Sequence, residues 1–158
     1  MTEQEFRKRI VDEAVSWKGT PYVLGQRVKG AGTDCACFIL AVMQRCGLIP
    51  PDEEAHRFSQ DWWNHTGEER YKLRVVRHAV KTVEAVTYRT LAAKPGDILI
   101  AKAAGARVHN HGGIVLAWPR LIHSVRPAVE IVDGTQDSMW AFQPVEVYSM
   151  WLRYQETL

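Results

Sequence analysis

The sequence has few cysteines, no long apolar run and no strong excess of one charge. Cys35, Cys37 and Cys46 are its only cysteines, and an odd, small number predicts free thiols rather than a disulfide framework. No stretch approaches the ~18 apolar residues of a spanning helix. The charged first segment, MTEQEFRKRI, lacks the apolar core of a secretory signal. We therefore expect no membrane partner and synthesis in the cytoplasm.

The charge balance and the composition argue against a nucleic-acid-binding protein and against a multidomain protein. A net charge of +2 carries no strong footprint of nucleic-acid binding. The chain has 158 residues, 46% of them hydrophobic, which is typical of one globular domain with its own core. No repeat or linker is visible, so the sequence predicts a single domain over residues 1–158.

Periodicity predicts helices in the first part of the chain. Thr2 and Glu5 have the spacing of a capping box, and a buried stripe predicts a helix over 2–18; the stripe consists of Phe6, Ile10, Ala14 and Trp17. The glycine-rich stretch VKGAGTD, at 28–34, is predicted to be irregular. A nearly apolar segment at 35–46 predicts a central, buried helix that ends at Gly47.

The period changes after Pro95. The short β-branched runs GDILIA, GGIVLAW, RLIHSV and VEIVD are separated by turn residues, and they predict an antiparallel meander. PVEVYSM could add a strand. Residues 51–75 look partly helical, and 77–90 are ambiguous between helix and strand. Helices followed by strands indicate an α+β domain with a segregated sheet.

The stretch GTDCACF, at 32–38, and the later VHNHGG raise three hypotheses: a metal site, a cysteine nucleophile or core packing. On a helix, Cys35 and Cys37 point about 200° apart, and structural zinc sites prefer a C-x2-4-C spacing. His109 and His111 could chelate from one strand face, but only as a pair. The spacing therefore disfavours a metal, and no cofactor is predicted.

Cys35 has the position expected of a nucleophile. It would lie in the first turn of the buried helix, behind Asp34 or Thr33 as the N-cap. Unpaired N–H groups and the helix dipole there favour a thiolate with a lowered pKa. Its own N–H points to where an oxyanion would form. Cys37 and Cys46 are interpreted as small hydrophobic core residues.

A cysteine nucleophile needs a base and a group that holds the base. His111 would begin one strand, and His123 would lie on the next, across a hairpin turned at WPR. Side chains opposed across such a pair are close, so His123 could bond one nitrogen of His111. His109 has the weaker case. His56, His65 and His78 are interpreted as structural.

The ordered motifs resemble the NlpC/P60 family of cysteine peptidases. They are GTPY, DC followed by a small residue, PGD before a strand, HGGI, and a polar residue in the following strand. The resemblance covers roughly residues 14–50 and 94–134. It implies a minimal papain-like α+β fold, with the nucleophile helix packed on an antiparallel sheet.

The resemblance also implies roles for individual residues. Cys35 matches the nucleophile, His111 the general base and His123 the residue that orients the base. Tyr22 matches a tyrosine near the thiol that assists the oxyanion, and Asp34 matches the residue before the nucleophile, although a capping role is favoured for it. Family members cleave stem peptides of bacterial peptidoglycan, often between D-glutamate and a diamino acid, without a cofactor.

The sequence departs from the family pattern in a segment at 51–93 that is expected to lie outside the shared core. It contains DWWNHTGEERY and looks like the insert of phage-tail members, which suggests phage tail proteins as partners and delivery to the cell wall. Its tryptophans could equally pack at the sheet edge. An acyltransferase or transpeptidase using the same site, and a non-enzymatic tail component, are the alternatives.

Overall fold

The computed structural model describes residues 1–53, 67–87, 91 and 93–158. Four α-helices fall within these ranges: α1 (Glu3–Val15), α2 (Cys35–Arg45), α3 (Arg70–Arg74) and α4 (Met150–Glu156). The predicted capping box at Thr2 and Glu5 is present and starts α1. The four predicted stripe residues are all buried, including Trp17 beyond the end of the helix. Both predicted helices are therefore confirmed.

The strands form a small ladder and one large sheet. The ladder pairs β1 (Arg27–Val28) with β2 (Gly32–Thr33). The large sheet is antiparallel, with the order β3-β8-β4-β5-β6-β7. Its strands are β3 (Val80–Thr87), β4 (Ile98–Ala101), β5 (His111–Ala117), β6 (Arg120–Ser124), β7 (Val129–Asp133) and β8 (Pro144–Ser149). The α+β class is confirmed.

The connectivity differs from a simple meander in one place. Strands β4 to β7 follow one another as predicted, but β8 returns across the sheet to pair with β4. β3 then pairs with the outer side of β8. The hydrophobic run of β8 explains this position, since Val145, Val147 and Tyr148 are buried and an edge beside β7 would leave that strand half solvated.

Helix α2 is the centre of the core. Its residues from Ala36 to Met43 are all buried, because α1 packs on one side of it and strands β5 and β6 on the other. Burial of this many aliphatic side chains, at roughly 25 cal/mol per Å² of apolar surface, is the main force that holds the helix on the sheet. The start of α2 is thereby fixed against β5.

One sequence prediction needs correction. The stretch 28–34 is not irregular throughout, because its glycines permit a tight turn after which Gly32 pairs with Val28. The segment 51–93, predicted to lie outside the core shared with the family, supplies α3 and the sheet strand β3. The two tryptophans of DWW, together with His56 and His65, lie outside the described residues.

None of the helices in the described ranges combines the length and the apolar character that crossing a bilayer requires.

Candidate active site

Asp34 builds the start of α2. Its Oδ1 accepts the N–H of Ala36 at 3.1 Å and of Cys37 at 2.8 Å, and its Oδ2 accepts the N–H of Gly25 at 2.7 Å. The carboxylate is therefore an N-cap that also fixes the preceding loop. Three backbone donors use both oxygens, which favours the capping role over substrate binding. The cap leaves the N–H of Cys35 unused.

Cys35 lies at this capped end, where it is partly exposed. Its thiol contacts the carbonyl oxygen of Asn110, at 3.9 Å from Sγ, which brings it beside the start of β5. Burial raises the pKa of the Cys35 thiol to about 12, and the Asp34 carboxylate adds to the rise. Hydrogen bonds from Tyr71 and from the first-turn N–H groups lower it in part. The expectation of a lowered pKa is therefore wrong for the free protein, because desolvation outweighs the helix terminus.

His111 and His123 form a direct pair. His111 Nε2 lies 2.8 Å from His123 Nδ1, and both side chains are buried. The pairing of Ile114 with Ile122 places His123 opposite Gly113, so the two histidines are diagonal rather than opposed neighbours. An added Cβ at Gly113 would lie 3.0 Å from Leu121 Cδ1 and 3.1 Å from Trp140 Cζ2, so this position is closely packed.

Burial also sets the charge of both rings. It lowers the pKa of His111 well below its ordinary value, and the nearby His123 lowers it further. Burial lowers the pKa of His123 too, with Asp137 and Glu130 opposing that shift. The pair is therefore neutral at physiological pH, and His111 can accept a proton.

Trp140 completes this cluster, and the sequence analysis missed it. The buried indole donates its Nε1–H to His123 Nδ1 at 3.0 Å. Its ring centroid lies 5.3 Å from that of His111 and 6.0 Å from that of His123. The residue comes from the turn between β7 and β8, where no motif marks it in the sequence.

Tyr22 interacts electrostatically with Cys35 and Asp34. Its backbone is fixed by its N–H bond to the Pro127 carbonyl at 2.9 Å and by a bridge to Thr33. Burial raises the pKa of Tyr22 well above its ordinary value, and Cys35 and Asp34 raise it further. The Arg126 guanidinium lies over its ring, 5.0 Å from the centroid. A neutral phenol is therefore available near Cys35.

His109 belongs to a different cluster. It precedes β5 and is buried, with Nδ1 3.0 Å from Glu69 Oε2 and Nε2 3.5 Å from Glu146 Oε1. Its backbone N–H also donates to Glu69 at 3.0 Å, while Lys72 bonds Glu146 at 2.8 Å. Through these contacts His109 holds the loop before β5 against α3 and β8.

Tyr71 is a second residue that the sequence analysis missed. Its hydroxyl donates to the Cys35 carbonyl at 3.0 Å, which ties α3 to the start of α2. An added Cβ at Gly112 would lie 2.6 Å from the Tyr71 hydroxyl and 2.7 Å from Ile39 Cδ1. The glycine after His111 is thus required by the close approach of α2, α3 and β5.

Among the described residues, one set of side chains could hold a metal: His123, Glu130 and Asp137, whose ligand atoms lie within 4.8 Å of one another. The ligand atom of His123 would be Nε2, which lies 3.4 Å from Glu130 Oε1. Because Nδ1 accepts the Trp140 N–H, a neutral His123 carries its proton on Nε2. A metal would have to displace that proton, so these residues fit a metal poorly.

Solved structures share this architecture. The NlpC/p60 domain of the peptidoglycan hydrolase SagA superposes with a TM-score of 0.55 at 21% identity, over 90% of this chain and 97% of that chain. An NlpC/P60 family protein from Bacillus cereus gives 0.62 at 17% identity, and one similar to a lipoprotein from Staphylococcus aureus gives 0.58 at 21%. The chain has the NlpC/P60 fold.

The coverage of these structures differs. The present chain spans nearly all of the SagA domain but only 40% of the Bacillus protein and 42% of the Staphylococcus protein, while 91% and 94% of its own residues are aligned. No family model matches the sequence, and no curated protein sequence matches it. At these identities the likeness establishes the NlpC/P60 fold, and the chemistry has to be argued from the site.

Proposed function

We propose that the chain is a cysteine peptidase that hydrolyses short peptides of bacterial peptidoglycan, at a D-glutamyl–diamino acid type of bond. Two observations support this most: the Cys35 thiol lies 3.9 Å from the carbonyl oxygen of Asn110, the residue before His111, and His111 Nε2 lies 2.8 Å from His123 Nδ1. A thiol, a neutral imidazole and a group that holds the imidazole are the parts of nucleophilic acyl transfer. The peptidoglycan substrate rests on the SagA domain, whose name states that activity.

The first step would be general-base catalysis. Because burial keeps the Cys35 thiol protonated, its proton passes to His111 as Sγ attacks the amide carbonyl carbon. His123 holds Nε2 of His111, so Nδ1 is the nitrogen that would take the proton. The resulting imidazolium then donates this proton to the leaving amine as the C–N bond breaks.

The oxyanion would be stabilised by two donors. The N–H of Cys35 is the first-turn donor that the Asp34 cap leaves unused, and the phenol of Tyr22 stays protonated. Fixed donors in a site shielded from water stabilise developing charge strongly. Water, activated by His111, then attacks the thioester and releases the acid and the free thiol.

The experiment is digestion of purified muropeptides, with the products identified by mass spectrometry. We expect a new free amine on the diamino acid and a free carboxyl on D-glutamate, with no product from Cys35→Ala. EDTA should leave the rate unchanged, because no step uses a metal. An intact muropeptide after digestion by folded wild-type protein would overturn the hydrolase proposal.

The acyltransferase alternative uses the same residues, and an added amine acceptor tests it. If the acyl group appears mainly on the acceptor even at low acceptor concentration, the activity is transfer rather than hydrolysis. The proposal that phage tail proteins are partners and that the chain is delivered to the wall rests on the 51–93 segment alone, and the compared structures do not support it.

A further inference from the structure

The environment of His123 is asymmetric in a way that decides where its protons lie. Nδ1 faces two nitrogen atoms: Trp140 Nε1 at 3.0 Å and His111 Nε2 at 2.8 Å. Nε2 faces the carboxylates of Glu130, at 3.4 Å, and Asp137. Within the described part of the chain, these four groups, from β5, β7 and the turn that follows β7, are the polar groups recorded around the ring.

The indole of Trp140 determines which nitrogen of His123 carries the proton. An indole N–H can only donate, so His123 Nδ1 must accept and cannot carry a proton. The single proton of the neutral ring is then on Nε2, where it faces the two carboxylates. A hydrogen bond from the backbone N–H of Trp140 to the Asp137 carbonyl, at 3.1 Å, holds the turn that presents both residues.

The constraint passes from His123 to His111. Since His123 Nδ1 has no proton, the 2.8 Å contact can be a hydrogen bond only if His111 donates through Nε2–H. A neutral His111 protonated on Nε2 has no proton on Nδ1, and the lone pair of Nδ1 can accept one. We propose that Trp140 is a positioning residue, which selects the His123 tautomer that leaves Nδ1 of His111 free to act as the base.

The carboxylates alone would give a different result. Glu130 and Asp137 both favour a positive charge on His123, which requires a second proton on Nδ1. That proton would point at His111 Nε2, which would then have to accept a hydrogen bond. The proton of His111 would move to Nδ1, and Nδ1 could no longer take the proton of the Cys35 thiol. The Trp140 N–H opposes this second proton at the atom where it would bind.

Nitrogen NMR on protein with 15N-labelled histidine tests the tautomers without any substrate. At pH 7 we expect His123 to be protonated on Nε2 only, and His111 likewise. A proton on Nδ1 of His123 in the wild-type protein would overturn the inference, whether or not any variant folds. Because this reading needs no turnover, it stands apart from the proposed function, on which only the catalytic consequence rests.

Trp140→Phe removes the N–H and keeps an aromatic ring. We expect kcat at pH 6 to fall about ten- to a hundred-fold with KM within about twofold, since a positioning group affects the transition state and not binding. The acidic limb of the kcat/KM profile should move up by about one pH unit, because a hydrogen bond to the neutral form no longer holds the pKa of His123 down.

Trp17→Phe is the matched control. Trp17 is equally buried, and its indole donates to Glu13 at 3.1 Å, away from the histidines. It should lower stability without moving the pH profile or the histidine signals. If both variants lose activity in parallel with stability and the acidic limb stays in place, Trp140 is only a packing residue. If wild-type protein hydrolyses no muropeptide but its His123 and His111 are both protonated on Nε2 only, the tautomer claim holds and the proposed function fails.

Discussion

The reactive groups of this site are neutral in the free protein. Burial raises the pKa of Cys35 to about 12 and lowers that of His111 well below its ordinary value. The pair therefore rests as thiol and imidazole rather than as thiolate and imidazolium, and attack requires proton transfer. The helix terminus still contributes, because its N–H groups lower the Cys35 pKa in part. Burial of the thiol and the charge of Asp34 outweigh this effect, so the net shift of the Cys35 pKa is upward.

Alkylation of Cys35 as a function of pH tests this state. If the thiol is protonated, the rate with iodoacetamide should still rise above pH 9, because the thiolate is the reacting form. Cys37 and Cys46 are buried and should react more slowly in the native protein. The alkylation rate of Cys35→Ala gives the reactivity of these two thiols alone. A Cys35 rate that is already flat between pH 6 and pH 7 would instead show a preformed thiolate.

The histidines should differ sharply in importance. His111→Ala should lower kcat by several orders of magnitude, nearly as much as Cys35→Ala, because the two act as a unit. His123→Ala should cost less, and His123→Asn or His123→Gln should retain part of the rate, since an amide oxygen can accept from His111 Nε2–H.

His109→Ala is the control for the choice of base. Its contacts with Glu69 and Glu146 predict a loss of stability with a nearly unchanged kcat. Steady-state kinetics on the folded variants decide the matter. Equal damage from His109→Ala and His111→Ala would mean that the wrong histidine was assigned as the base.

At the scale of elements, the sequence predicted what depends on local pattern. The capping box, the apolar run of α2 behind Asp34, and the strands on both sides of WPR are local signals, and all are present. Trp140 and Tyr71 were missed because each reaches the site from a distant turn or helix, and neither lies in a motif. The return of β8 beside β4 was missed for the same reason, since strand order is set by burial of faces and not by local period.

The capped start of α2 can be tested by separating its geometry from its charge. Asp34→Ala removes an acceptor from three N–H groups and should lower the free energy of unfolding by about 1–2 kcal/mol or more, the range for a lost N-cap. Asp34→Asn keeps a good cap without the charge. It should cost less, and it should lower the pKa of Cys35, because the carboxylate is the second cause of that rise.

Urea unfolding gives the stabilities, and the pH dependence of alkylation gives the thiol pKa. If Asp34→Asn destabilised the protein as much as Asp34→Ala, the cap would depend on charge and not on the oxygen acceptor. A pKa of Cys35 that does not change in Asp34→Asn would remove Asp34 from the electrostatics of the site.

On the scale of the whole molecule, the three histidines that are buried among the described residues link folding to pH. Burial lowers the pKa values of His109, His111 and His123. Below pH 6.5 the unfolded chain therefore binds more protons at these residues than the native state does. Stability is therefore complete above the ordinary histidine pKa of about 6.5 and is lost as the pH falls below it, by up to about 1.4 kcal/mol per pH unit for each histidine. The loss ends for each residue at its own lowered pKa.

Unfolding in urea between pH 8 and pH 5 should show this slope before the carboxylates begin to titrate. His111→Asn should reduce the slope by about one proton, because one of the three sites is gone. The variant can be less stable at pH 8 and still obey this expectation, since the slope and the intercept are independent. A free energy of unfolding that stays constant from pH 7 to pH 5 would show that the three rings take up protons in the folded state, and the neutral His111 on which the general-base step depends would then be wrong.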